Sequence, residues 1–256
     1  MILTVDVGNT QIKLGGWREG ELTFVSRMQT NSLKTEDEYA VDMLSILRLN
    51  NFSPDSFEGA IIASVVPALT PVIKDAVAES LRLQQVLVVS PGLKTGLNIK
   101  LDNPASLGSD LVCASVAVIS KYTLPCTVIS LGTATAVLAI DSNGGYLGGM
   151  VCAGVNISLE ALSRRTAQLP HISLNNAPPP VIGTNSVDAI RSGIIYGTAD
   201  MVTGAVRRMQ AIIGNGAVIA CGGYAEHIIP HCGVPVTLDQ NLVLEGLKLI
   251  YAKNVR

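Results

Sequence analysis

The residues best suited to chemistry begin at the N-terminus. An apolar run, Ile2–Val5, leads into Asp6, then Val7 and the turn Gly8-Asn9-Thr10. A second β-type run, Gln11–Trp17, follows at once. A carboxylate at the tip of a buried strand can hold Mg²⁺ through water. Gly8 lets backbone N–H groups come close to a ligand's oxygens, and Thr10 adds a hydroxyl. Such a unit can cradle nucleotide phosphates. A plain hairpin with a polar turn is the alternative, and the motif by itself does not separate the two.

Further along, Gly108-Ser109-Asp110 stands where a helix is expected to start. The helix dipole favours an ionised carboxylate there. Near a phosphate cleft, Asp110 could accept a hydroxyl proton during phosphoryl transfer; as an isolated feature it reads first as a helix cap. Gly132-Thr133-Ala134-Thr135 is a second Gly/Thr turn, and Gly222-Gly223 a third, after an apolar strand and before a helix. A strand-to-helix turn commonly meets phosphate or nucleoside. The histidines, His171, His227 and His231, adjoin no nucleophile motif, and Pro230 breaks the four-residue spacing of the last two. No metal site is expected from them.

These turns need elements to hold them. Leu3–Trp17, the turn Arg18-Glu19-Gly20 and Leu22–Met28 repeat weakly as Val128–Ile140, Asp141–Gly145 and Tyr146–Cys152. In that register VDVGNT lies over ISLGTA, and Asp6 over Ser130. The repeat predicts two related lobes with a cleft between them. Between and after the meanders the pattern predicts helices over 37–49, 71–83, 108–122, 158–168, 186–213 and 241–253, with strands over 59–65, 86–89 and 218–220. Alternation of this kind argues for α/β sheets covered by helices. Gly193, Gly197 and Gly204 recur at roughly helical spacing, as glycines do where helices pack closely. Ala177-Pro178-Pro179-Pro180 reads as a stiff loop.

Composition narrows the choice further. The 256 residues are 48% hydrophobic and 15% charged, enough for a large core built from aliphatic side chains. Net charge is −2 and no Lys/Arg block exceeds a pair such as Arg207–Arg208, which argues against nucleic-acid binding. No apolar run reaches the roughly 18 residues of a membrane helix. No basic residue precedes the first apolar run, as a signal peptide would require. Cys113, Cys126, Cys152, Cys221 and Cys232 are widely spaced and read as reduced thiols of a cytoplasmic protein.

Together the motifs are similar to those of the type III pantothenate kinases, a branch of the acetate and sugar kinase, Hsp70 and actin superfamily. The resemblance runs the length of the chain. It rests on DVGNT at Asp6–Thr10, SVVP at Ser64–Pro67, TGL at Thr95–Leu97 and DNP at Asp102–Pro104. Gly108–Leu111 stands for the family's G-A-D-R, and Gly132–Thr135 for G-T-A-T. Gly144–Gly149, TAQLP at Thr166–Pro170, Ser192-Gly193 with Tyr196-Gly197, Gly222-Gly223 and Gly246–Tyr251 complete the set.

The resemblance implies an α/β fold of two ribonuclease-H-like (actin-like) lobes, with mixed sheets flanked by helices and a central cleft. The lobes would be residues 1–115 and 116–256. It implies a homodimer, with the second lobe and the 186–213 helix supplying most of the interface. The reaction implied is transfer of the ATP γ-phosphoryl group to pantothenate, the first step of coenzyme A synthesis, with Mg²⁺. By position, Asp6, Val7, Gly8, Asn9, Thr10, Gln11, Ile12 and Lys13 would form the first phosphate loop. Gly132, Thr133, Gly222 and Gly223 would meet ATP. Asp110 would be the base, and Leu101, Gly108, Ser109, Asp110, Leu111 and Ser186 would line the pantothenate site.

Three positions depart from the family pattern. Leu111 replaces an Arg, Ser130 replaces an Asp that holds a monovalent cation (K⁺ or NH₄⁺), and Leu101 replaces a Tyr before DNP. The expected activity is therefore weak and little dependent on such a cation. The alternative reading is a divergent paralogue, non-catalytic or of altered substrate, that binds nucleotide or a protein partner.

Overall fold

The computed structural model describes residues 1–165, 172, 174 and 178–255. TAQLP at 166–170, His171 and Ala177 lie outside the described residues. Two compact units emerge. The first comprises Met1–Leu97, Asn103–Ala117 and Leu242–Arg256, and the second comprises Asn98–Asp102 and Val118–Asn241. Both are mixed α/β, with a sheet flanked by helices, as the alternating pattern implies.

In the first unit, β1 (Ile2–Val7), β2 (Gln11–Arg18) and β3 (Glu21–Gln29) form the expected meander. Then come helix α1 (Glu36–Leu49), strand β4 (Gly59–Ser64), helix α2 (Thr70–Leu81) and the two-residue strand β5 (Leu87–Val88). The sheet order is β3-β2-β1-β4-β5, with β4 parallel to β1. β1 is thus the central strand. Its alternate residues Leu3, Val5 and Val7 enter a core with Tyr39, Met43 and Leu47 of α1 and Ile73 and Val77 of α2. Helix α1 starts at a complete capping box, in which Thr35 accepts from the Glu38 N–H and the Glu38 carboxylate accepts from the Thr35 N–H.

The second unit begins with β6 (Asn98–Ile99) and receives the end of helix α3 (Ser109–Lys121). The second meander follows, β7 (Cys126–Leu131), β8 (Ala134–Ile140) and β9 (Gly145–Ala153). After it come helix α4 (Val155–Arg165), helix α5 (Ser186–Ile213), strand β10 (Ala217–Cys221), the single turn α6 (Ala225–Ile228) and strand β11 (Thr237–Leu238). The sheet order is β11-β10-β7-β8-β9-β6. Strands β6 and β11 are two residues long, too short to leave a period in the sequence. The expected 158–168 helix starts earlier, at Val155, because the Ser158 N–H already finds the carbonyl of Gly154.

One expectation needs correction. The last helix, α7 (Leu242–Asn254), groups with the first unit rather than with residues 116–241. Glycines make this docking close. A methyl at Gly15 would lie 2.9 Å from a Leu244 methyl, and one at Gly59 would lie 1.8 Å from the Tyr251 hydroxyl. A methyl at Gly246 would lie 1.9 Å from the carbonyl oxygen of Cys113 on α3. Helix α5 packs an apolar face within its own unit. Its Ile194, Ile195, Val202 and Val206 are buried in the core of their own unit, with Ile129, Leu131 and Val137. What α5 leaves open is Gly193 and Gly197, with no described atom within 4 Å of where a methyl would stand.

Because the Gly246 neighbour is backbone, Gly246→Ala cannot be absorbed by a rotamer change. The substitution favours helix by about 1 kcal/mol, while overpacking costs about 1–3 kcal/mol or more. Urea denaturation should show net destabilisation of the variant; an unchanged or higher midpoint would contradict this crossing of α7 and α3.

Candidate functional site

The candidate site of the first unit is built at the C-terminal end of β1. Leu3, Val5 and Val7 face α1 and α2, so Thr4 and Asp6 face the opposite side of the sheet. Thr4 is fully buried, accepts from the Trp17 indole N–H at 2.9 Å and donates to the Gly15 carbonyl at 3.1 Å. Asp6 has no such neutral partner network. Burial pushes its carboxyl up to about 7; the charge of Asp110 adds to the effect, and Lys13 opposes it. Lys13 stands directly across from Asp6 on β2.

Asp110 reaches this place through the start of α3. The Val65 N–H continues the β1–β4 ladder to the Val7 carbonyl at 3.0 Å, which turns SVVP beside the end of β1. The Ser64 carbonyl then accepts from the Ser109 hydroxyl at 2.9 Å, tying the first residue of α3 to β4. Asp110 Oδ1 accepts from the Leu111 N–H at 2.8 Å, so the capping role is real. Burial still raises the Asp110 carboxyl, with backbone N–H bonds pulling the other way. Gly108 leaves room for it, since a methyl there would lie 2.6 Å from Asp110 Oδ1. Cys113, one turn on, is a buried thiol pushed well up by burial and then by the charges of Asp6 and Asp110. It is inert as a nucleophile in that state.

Two carboxylates held together in a half-buried place, each with a raised pKa, form a donor set that a hard cation would satisfy. Among the described residues no three His, Cys, Asp or Glu side chains gather as a metal cage. Mg²⁺ usually keeps several waters and is held by one or two carboxylates plus substrate phosphates. The turn beside Asp6 is tightly formed. The Gly8 N–H donates to the Gln11 carbonyl at 3.0 Å, and Asn9 and Thr10 are exposed at its tip.

The other unit has glycine turns of its own, at the end of β7. The Gly132 N–H donates to the Ala134 carbonyl at 3.1 Å, closing the Gly132-Thr133 turn. Gly222, at φ +105°, packs against the end of β7: a methyl there would lie 2.4 Å from the Leu131 carbonyl oxygen. The Tyr224 N–H donates to that same oxygen at 3.2 Å. Gly132, Thr133 and Gly222 are thus brought together within this unit, with Gly223 exposed beside them. Sequence reading missed Gly154, where a methyl would lie 2.0 Å from the Thr133 carbonyl oxygen. Its signal was available: a glycine between the last strand of the second meander and a helix. The helix after Gly222-Gly223 is only one turn, so its dipole adds little there.

The remaining expected residues are placed less tellingly. Ser130 is half-buried on β7, opposite Ala136 and Cys221. Leu101 lies by Gly148, and Leu111 is half-buried after Asp110. Ser186 is exposed as the first residue of α5, which is capped by Asn185 accepting from the Asp188 N–H at 2.9 Å. His231 packs edge-on to Tyr196, 5.0 Å between ring centres, and joins no metal cluster among the described residues. All five cysteines are free thiols. No described helix is long and apolar enough to cross a membrane.

The fold is shared with solved structures of low sequence identity. The activator of the 2-hydroxyisocaproyl-CoA dehydratase from Clostridium difficile, with bound ADPNP, matches 100% of this chain and 98% of its own. Its TM-score is 0.57 at 13% identity. The ROK hexokinase from Thermus thermophilus matches 98% of each chain, with a TM-score of 0.52 at 12% identity. The family model for type III pantothenate kinase matches residues 2–208. Type III pantothenate kinases from Exiguobacterium sp. and Moorella thermoacetica are 43% and 39% identical. They match 99% of this chain, and 99% and 100% of their own lengths. The chain therefore belongs to the type III pantothenate kinase family.

Asp6 generates a stability prediction. Its folded pKa of about 7 lies above the ordinary 3.8, so the folded state binds the proton more tightly. Stability from this group is present below pH ~4 and is lost as pH rises towards ~7. At 1.36 kcal/mol per unit, the loss is on the order of 2–4 kcal/mol. Asp6→Asn should therefore raise the urea midpoint at pH 8 in metal- and nucleotide-free buffer and leave it nearly unchanged at pH 4. A variant that is less stable at pH 8 would show that the carboxylate is better compensated than its surroundings indicate.

Proposed function

We propose that this protein transfers the γ-phosphoryl group of ATP to the primary hydroxyl of pantothenate, the opening step of coenzyme A synthesis. The observation that carries the reading is the meeting of Asp6 and Asp110 on one face of the first sheet, beside the Gly8-Asn9-Thr10 turn, in a chain of this family. In the reaction the hydroxyl oxygen forms a bond to the γ-phosphorus as the bond to the β–γ bridging oxygen breaks. The hydroxyl proton passes to Asp110. Its raised pKa brings it nearer the operating pH, where a base combines availability with driving force.

The Asp6–Lys13 segment and the Gly132-Thr133 and Gly222-Gly223 turns would meet ATP, and Gly108–Leu111 with Leu101 and Ser186 the acceptor. Asp6 would hold Mg²⁺ through water, and the cation would supply charge neutralisation at the phosphates. The proposal includes no monovalent cation, because Ser130 offers a neutral oxygen where a carboxylate would be needed. Leu111 offers no hydrogen bond to a polar acceptor, so the reading includes a high KM for pantothenate.

A coupled assay of ATP-dependent pantothenate phosphorylation tests the reading directly. Asp110→Asn keeps a group that can cap the helix, so folding should be preserved, but Asn cannot take the proton. The turnover rate should fall by about 10²–10⁴-fold. Near-parental turnover in the variant would remove Asp110 from the chemistry, and no phosphorylation of pantothenate by the parent would remove the substrate.

We also propose a homodimer formed through the second unit. Support comes from the open Gly193 and Gly197 of α5 and from exposed Met150, Val151, Val181 and Ile182 in the same unit. Exposed apolar groups in number mark interaction surfaces, and small residues four apart let two helices approach. Light scattering should give twice the chain mass at micromolar concentration, and the double change Gly193→Leu and Gly197→Leu should shift it towards monomer. A parent that scatters as a monomer would exclude this assembly.

A further inference from the structure

The Gly8-Asn9-Thr10 turn is exposed at its tip, yet it must hold its N–H groups in one arrangement to bind phosphate. We propose that Thr30 is a positioning residue that clamps this turn, so that its hydroxyl governs nucleotide affinity without touching the nucleotide. The proposal rests on the reading of the turn as the ATP phosphate site.

Thr30 directly follows β3, and it grips the turn at two points. Its hydroxyl donates to the Gly8 carbonyl at 2.7 Å. Its N–H donates to the Thr10 carbonyl at 3.1 Å. The second bond extends the β2–β3 ladder and any residue but proline could make it. The first needs a side-chain hydroxyl at this position. In a trans peptide the C=O and the following N–H point in opposite directions. Fixing the Gly8 carbonyl on Thr30 therefore turns the Asn9 N–H away from Thr30, to the far side of the turn. With the Gly8 N–H on the Gln11 carbonyl, the peptide planes of the turn are set from both ends.

The clamp is itself anchored. The next residue, Asn31, donates its N–H to the Tyr39 hydroxyl at 2.9 Å and accepts from that hydroxyl at its carbonyl at 2.9 Å. Tyr39 belongs to α1 and is fully buried with Met43 and Leu47 in the first core. Lys34 covers the Tyr39 ring at 5.6 Å and pairs with Asp42 one turn along α1. The connection from β3 to α1 is thus tied to the core, and Thr30 carries that rigidity to the turn. Preorganised donors bind an anion without the cost of ordering them.

Thr30→Val keeps the branched shape and removes the hydroxyl, and Thr30→Ser keeps the hydroxyl. Steady-state kinetics of both, with Thr30→Ala as a second hydroxyl-free variant and Lys13→Ala as a probe of the turn itself, provide the test. Thr30→Val and Thr30→Ala should raise the KM for ATP by about five- to twenty-fold, the effect of one lost hydrogen bond and some disorder. The KM for pantothenate and kcat should stay within about two-fold. Thr30→Ser should restore the parental KM for ATP, and thermal melting should show all four variants folded. A parental KM for ATP in the hydroxyl-free variants, with a raised KM in Lys13→Ala, overturns the clamp and leaves the site standing. Parental values in all of them overturn the phosphate-site reading and the clamp with it. A fall in kcat alone, or failure of Ser to rescue, also overturns the positioning role.

Discussion

The constraint on which the first unit depends is a carboxylate on the central strand of a sheet, facing inward. Asp6 occupies a position that the pleat of β1 directs towards α3 and α7, where water is scarce. An ionised group there costs free energy unless something opposite in charge is brought to it. Lys13 supplies part of this from the neighbouring strand. Asp110 adds to that cost, while its own carboxylate accepts from the Leu111 N–H in the first turn of α3. Two carboxyls with raised pKa values gathered on one face mark a candidate functional site.

The surrounding architecture serves to keep that pair together. Helix α3 is pinned at its first residue by Ser109 to the end of β4, and it is pressed from behind by α7 through Gly246. Neither contact touches the carboxylates, yet each decides where Asp110 stands. Close approach of backbones is the common device. In the first unit it operates at Gly246, and in the second at Gly154 and Gly222, where side chains would force the end of β7 away from its neighbours. A protein poor in aromatic residues, with 4% Phe, Trp and Tyr, has few large side chains with which to fill gaps, so tight backbone packing does more of the work.

Much of this was legible in the sequence. The meander periods and the punctuation by Gly and Pro are local signals, set by interactions within a few residues. So the two β1-type meanders, the long α5 and the Gly turns could be read directly, and the ordered motifs pointed to the family to which the chain belongs. What was misread depended on distant partners. Helix α7 follows the second unit along the chain and packs in the first, because its docking is set by Gly15 and Gly59, some two hundred residues earlier.

Local chemistry and tertiary arrangement therefore divide the site between them. The residue types at Asp6, Asp110 and the glycine turns follow from the sequence, because a carboxylate after an apolar run or a Gly-Asn-Thr turn has the same chemistry wherever it sits. That Asp6 and Asp110 share one face, that Thr30 reaches back to Gly8, and that Gly154 and Gly222 crowd the second turn are decided only by folding. Each depends on a strand register or a helix crossing between segments tens of residues apart, and no local period in the chain encodes such a distance.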